Sequence, residues 1–317
     1  MKSADVFIAA DGRLRAGWRF LLFIPVFALL ALILSAPLAL LGGFKRLGAD
    51  FELRVMVFGL TAGLSAALAA YSLLRWVDRR SFRTLGLWFY PGWGREFGLG
   101  LAGGFGLLSV VVGCLWVGGQ LQFRGSGMDA VGVLRGAGWY FWLFLPPAAF
   151  EELLFRGYPF QRLVEGVGRF FAVFLLSFVF GLVHLSNPSA TPLSTANTAL
   201  IGILLAVGYL KTRGLWLPLG FHLAWNFFLG FVYSLPVSGI VLSQKMFTLT
   251  VGEPAWLSGG DYGPEASILT TGVVLVAAAW LARTRRLGVS LAMARHLVQD
   301  GTGPAKELES EVARREA

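Results

Sequence analysis

The chain has 317 residues and a formal net charge of +9, with 56% hydrophobic residues, only 14% charged residues and a mean hydropathy of +0.67. So few charges on so long a chain exclude an ordinary water-soluble domain and describe an all-α, polytopic membrane helix bundle. The positive balance does not point to nucleic acid, because Lys and Arg border apolar runs and form no dense basic block, and one cysteine allows no intrachain disulfide and no cysteine pair for a metal.

Charge-free runs cover 20–44, 55–74, 97–123, 136–150, 170–210, 214–244 and 266–282. A helix crosses the hydrocarbon core in about 20 residues, so the 170–210 run must turn once, most simply at Asn187-Pro188-Ser189-Ala190-Thr191-Pro192. About eight transmembrane helices follow. The first run is too long and ragged for a cleaved signal peptide and is kept as the first helix. With Arg156 set aside, Lys and Arg divide 20 to 6 between alternate connections, which predicts both termini in the cytoplasm. The division is a membrane domain, 1–283, and a cytoplasmic tail, 284–317. In the tail, 284–299 is expected to form a basic amphipathic helix on the inner leaflet, with His296 at its surface. A disordered charged end follows Gly301-Thr302-Gly303-Pro304.

The third run holds Gly98, Gly100, Gly103, Gly104 and Gly106, a density of small residues that lets helices approach closely in lipid. Cys114, in the same run, reads as a packing residue. The connection 237–265 falls on the outer side and reads as a lid or an ordered loop.

Chemistry concentrates at Phe150-Glu151-Glu152-Leu153-Leu154-Phe155-Arg156-Gly157, where two carboxylates and a guanidinium interrupt an apolar segment. Ionisable residues inside a span are functional candidates by default, the plain alternative being charges at a helix end in the headgroup region. Glu152 and Arg156 stand four apart in the favourable order for an intrahelical ion pair, whereas Glu151 points about 100° away and is left free. Two histidines also fall inside spans, His184 after Phe180 and His222 four residues before Asn226. Each alone also reads as a buried histidine bonded to a carbonyl. If the Glu151 helix continues through Leu163 and turns at Gly166-Val167-Gly168, Glu151 lies 15 residues before that turn and His184 lies 16 after it. The two then face each other at equal depth, and His222 and Asn226 reach the same level, midway to the inner third of the membrane.

One carboxylate, two imidazoles and an amide suit hydrolysis of a peptide bond. In this reading Glu151 activates water with help from His184, and His222 with Asn226 stabilises the oxyanion. No cofactor is favoured. The alternative is zinc held by Glu151, His184 and His222, although no His-Glu-x-x-His helix makes that choice specific. Ser177 and Ser186 have no evident triad. A non-catalytic scaffold or immunity-type protein and a proton-coupled transporter are readings from other classes. In an enzyme the four side chains should line one cavity, and in a scaffold they should be sealed and mutually satisfied.

Glu151-Glu152-x-x-x-Arg156, Phe180-x-x-x-His184 and His222-x-x-x-Asn226, in this order, resemble the motifs of the CAAX protease and bacteriocin-processing (ABI) family over about residues 138–232. The eight-span count is similar to that of its type II CAAX prenyl proteases. The resemblance implies a glutamate-dependent intramembrane endopeptidase with Glu151 and His184 activating water and His222 and Asn226 as the oxyanion site. Glu152, Arg156 and Phe180 would be in support. It also implies a membrane-associated or lipidated protein or peptide as substrate, cleavage near the cytoplasmic side, and residence in the cytoplasmic membrane of a prokaryote. Whether the substrate is prenylated is left open.

Overall fold

The computed structural model describes residues 4–9, 12–40 and 50–301 of the chain. The charged end beyond Gly301, expected to be disordered, lies outside the described residues.

Five of the helices begin where a short polar side chain satisfies an otherwise unpaired backbone N–H group. Helix α1 is Ala16–Leu40 and α2 is Phe51–Ser72, capped by Asp50, whose carboxylate accepts from the Leu53 amide; a π turn, Leu73–Asp78, continues it. Helix α3 is Trp93–Val117, and α4 is Ala130–Arg156, opened by Asp129 bonding the Gly132 amide. Helices α5, Tyr158–Val167, and α6, Arg169–Val183, lead to α7, Pro192–Thr212, which starts in a reciprocal capping box between Thr191 and Ser194. Helix α8, Trp216–Phe227, runs on as a π turn to Val232. Helices α9, Ile268–Arg283, and α10, Leu291–Gln299, are capped by Ser267 and Ser290.

By length and composition five of these helices can cross a membrane: α1, α2 with its π turn, α3, α6 with the turn after it, and α7. The continuous helix Trp216–Val232 and α9 are shorter apolar helices, and the 27-residue α4 carries the buried charges. The long apolar run does split between α6 and α7 at the expected Asn187–Pro192 turn.

Three expectations are corrected, and one element is added to the all-α bundle. The Glu151 helix does not continue to Gly166. It ends at Arg156, because Gly157 sits so close to the preceding turn that a Cβ there would lie 2.2 Å from the Leu153 carbonyl oxygen, and α5 restarts with Pro159 in its first turn. Cys114 is exposed on the lipid-facing side of α3 and fills no interior gap. The tail helix is shorter than 284–299. It packs back on the body through Met293, Ala294 and Leu297, with His296 half-buried edge-on to Trp88 at 5.7 Å and not on the surface. Finally, the all-α bundle carries one small ribbon in which β1, Leu121–Gly125, pairs antiparallel with β2, Phe247–Val251, in the connection after α8.

The closest helix pair is α3 with α8. A Cβ on Gly100 would lie 2.2 Å from the Leu217 carbonyl oxygen, and one on Gly104 would lie 2.4 Å from that of Phe221. These small residues set the position of the helix that carries His222 and Asn226. Besides the small cluster under the tail helix, apolar packing divides into two clusters. One joins α3, the first half of α4, α7 and α8 around Tyr140, Leu223 and Trp225. The other joins α2, the end of α4, α5 and α6 around Phe155, Tyr158 and Phe180. The polar residues of α4 lie where the two meet. At the basic end an ion network ties α1, the π turn and α5. Arg19 pairs with both Asp78 and Glu165, and Arg162 reaches Asp78 at 3.2 Å and Glu165 at 3.0 Å.

Candidate active site

Glu151 and Glu152 project from the last two turns of α4, past Pro146 and Pro147, which the helix accommodates without ending. Glu152 and Arg156 are both 1% exposed, and their intrahelical ion pair closes at 3.2 Å. Arg156 also donates to the Gly202 carbonyl at 3.1 Å, and its guanidinium lies 4.6 Å from the centroid of the Phe180 ring. The charge is therefore met on several sides, as a buried guanidinium requires.

Sequence spacing misses a further partner of Glu152. The same oxygen that pairs with Arg156 accepts from Nδ1 of His222 at 2.9 Å. A carboxylate on Nδ1 fixes the orientation of the ring and turns Nε2 toward the cavity. There Nε2 lies 3.7 Å from Oε2 of Glu151, and that oxygen is buried and accepts no hydrogen bond from the protein. Glu151 is thus near one imidazole and otherwise unpartnered.

His184 opens a 3₁₀ turn at the end of α6. Its Nδ1 is 2.7 Å from the Phe180 carbonyl oxygen. A carbonyl only accepts, so Nδ1 carries the proton and Nε2 is left as an acceptor. Phe180 meets the His184 ring edge-on at 4.7 Å and so contacts both Arg156 and His184, which places it between the two polar groups.

Glu151, Phe180, His184, His222 and Asn226 all line one cavity of about 220 Å³. Glu152 and Arg156 sit behind its wall. Ser177 is buried against Gly202 of α7, and the Ser186 hydroxyl donates to the Val183 carbonyl; neither lines the cavity. Among the described residues no group of three or more His, Cys, Asp or Glu side chains is placed to hold a metal ion.

One wall of the cavity comes from the 237–265 connection, which reads in the sequence as a lid or an ordered loop. Glu265, in the turn Pro264–Ala266 before α9, is buried and accepts from the Trp225 indole at 3.0 Å and from the Ser238 amide and hydroxyl at 2.5 and 2.9 Å. Ser238, Ile240 and Glu265 line the cavity with Asn187, so the connection 237–265 covers it as ordered structure. Val55 and Phe58 of α2, the latter exposed, and Phe150 of α4 line another side.

No curated protein matches the chain. Residues 134–228, which run from the start of α4 to the end of α8 and include every one of these α4, α6 and α8 side chains, match the family model described as type II CAAX prenyl endopeptidase Rce1-like. Over this segment the chain is similar to that family model, in agreement with the resemblance carried by its Glu151, His184 and His222 motifs.

Proposed function

We propose that the protein is an intramembrane endopeptidase that uses Glu151 as its general base and processes a membrane-associated or lipidated protein near its C-terminus. The observation that carries this reading is the half-buried Glu151 carboxylate, whose Oε2 receives no hydrogen bond from the protein and lies beside His222 in a cavity that His184 and Asn226 also line. A scaffold has no use for an unsatisfied carboxylate at a cavity wall, since such a group costs stability and contributes no packing.

In this mechanism a water in the cavity is held by Nε2 of His184 and gives a proton to Glu151 as its oxygen attacks the scissile carbonyl. Negative charge gathers on the carbonyl oxygen. The Asn226 amide and Nε2–H of a doubly protonated His222 donate to it, and the Glu152 carboxylate on Nδ1 stabilises that imidazolium. Proton transfer from Glu151 to the leaving amine completes hydrolysis. Glu152 acts through His222 and is a positioning residue. We propose that the reaction runs without a metal, the amide of Asn226 and the His222 imidazolium taking the charge that an ion would otherwise meet.

Both termini are proposed to be cytoplasmic, on the Lys and Arg distribution. The deciding assay reconstitutes the full chain in liposomes and follows release of the C-terminal tripeptide from matched farnesylated and unmodified peptides. Cleavage by the native protein and none by Glu151→Gln is expected. Equal cleavage by both would overturn the general-base assignment, and no cleavage of either peptide would overturn C-terminal processing.

A further inference from the structure

A pair of joined cavities lies beside α8 at Leu217, Pro218 and Phe221. The first, about 500 Å³, is walled by apolar side chains from α3, α7, α8 and α9, among them Leu99, Leu204, Leu217, Phe221 and Trp280. The second, about 450 Å³, opens at the ends of α3, α7 and α9 and is lined by Arg95, Lys211, Arg285 and Arg286, with Thr212 and Ser290. The two are continuous, because Arg95, Leu99, Arg286 and Leu287 line both. The polar part contains one carboxylate, Glu96. It is buried and already accepts the Tyr90 hydroxyl at 2.5 Å, while Lys211 donates to the Thr284 carbonyl at 2.8 Å. Three guanidiniums remain around the polar end, and those at the junction, Arg95 and Arg286, are exposed.

We infer that this groove holds one anionic glycerophospholipid, with an acyl chain in the apolar cavity and the phosphate among Arg95, Arg285 and Arg286. A ligand must be apolar at one end and anionic at the adjoining end to satisfy both halves, and basic pockets between membrane helices on the cytoplasmic side favour acidic headgroups. A zwitterionic headgroup fits less well because its ammonium would lie among the guanidiniums. The groove lies at the end of the bundle where Lys and Arg predominate, and arginine adds forked donors that match phosphate oxygens. Phe221 and Leu205 line both this groove and the catalytic cavity, so the bound chain backs α8 directly behind the residue that precedes His222. The site is distinct from the peptidase site and does not depend on its chemistry.

The test uses the full-length protein purified in mild detergent, exchanged into nanodiscs of phosphatidylcholine with or without phosphatidylglycerol, and reads lipid retained per chain by mass spectrometry together with the thermal midpoint. Native protein is expected to retain phosphatidylglycerol over phosphatidylcholine and to melt higher with it. In Arg95→Gln/Arg286→Gln that preference should fall about thirtyfold, the loss expected for two basic groups near an anionic surface. Arg95→Lys/Arg286→Lys should keep most of the preference, and Ala277→Phe, which narrows the apolar cavity, should lower retention with both arginines in place. Equal retention of the two lipids by native protein would overturn the inference. So would an unchanged preference in the glutamine variant, equal stabilisation by inorganic phosphate alone, or stoichiometric displacement of the lipid by a farnesylated peptide.

Discussion

Glu152 accepts a hydrogen bond from Nδ1 of His222 at 2.9 Å while Nε2 of the same ring lies 3.7 Å from Glu151, so one imidazole stands between the two adjacent carboxylates. The roughly 100° between neighbouring positions of a helix separates their directions, and the two nitrogens of one ring bring them back into one site. Similar side chains at successive positions thus have different duties.

Those duties are separable by substitution. Glu151→Gln is expected to lower proteolysis by about 100- to 10,000-fold, the usual contribution of a general base, with the detergent melting temperature unchanged. Glu152→Ala should lose activity and also cost about 3–5 kcal/mol of stability, because it strands Arg156 as a buried unpaired charge. Thermal melts and initial rates on both variants decide the matter, and a fully stable Glu152→Ala protein would contradict the packing described.

Asn226 tests the oxyanion site. Removing one such donor typically lowers the rate by about 100- to 1,000-fold, so Asn226→Ala should show that loss with little change in KM. Prolonged treatment with a strong chelator should leave native activity intact. One tightly held zinc per chain by elemental analysis, with activity restored only on its return, would replace this mechanism.

The α3 glycines offer a control within one helix. Gly100→Ala should lower both stability and activity, since its Cβ would lie 2.2 Å from a backbone oxygen of α8, and overpacking of this kind costs about 1–3 kcal/mol. Gly106→Ala, with open space around it, should be neutral or slightly stabilising.

Docking of the tail helix should depend on pH. Burial holds the His296 imidazole below its ordinary value, Asp300 opposing and Arg83 reinforcing that direction. The undocked state then binds the proton more readily. Docking is strongest above about pH 6.5, the unperturbed value, and weakens as pH falls through it toward the lower docked value. Limited proteolysis near residue 290 at pH 5.5 and 7.5 should show faster cutting at the lower pH. In His296→Leu that difference should vanish.

Much of this was legible in the sequence because lipid is an intolerant solvent. A charge inside an apolar run stands out, which is how Glu151, Glu152, Arg156, His184 and His222 came to notice, and the four-residue spacing of Glu152 and Arg156 is enough to form their pair. Glu265 read only as part of the 237–265 connection, because a carboxylate in a loop rich in Gly and Pro looks solvated, and only the fold places it against Trp225. The strands at Leu121–Gly125 and Phe247–Val251 are far apart in the chain, and each is too short to signal without its partner. The end of α4 at Gly157 was hidden by continuing hydrophobicity, although Pro159 just beyond it marks the start of a new helix.

The cover of the catalytic cavity is fastened at two points. Glu265 holds Ser238, and Glu52 of α2, which also accepts from Trp139 and Tyr140, holds the Ser243 amide at 2.6 Å. Between those pins the connection is tied to three helices, whereas the side lined by Val55, Phe58 and Phe150 carries the exposed Phe58 ring on an apolar helix long enough to cross a membrane. A substrate arriving by that side diffuses in two dimensions, and the quantity that sets its encounter rate is its mole fraction in the bilayer. At fixed enzyme and substrate, diluting the proteoliposomes with buffer should leave the rate per enzyme unchanged, while fusing in empty lipid should lower it in proportion to the added area.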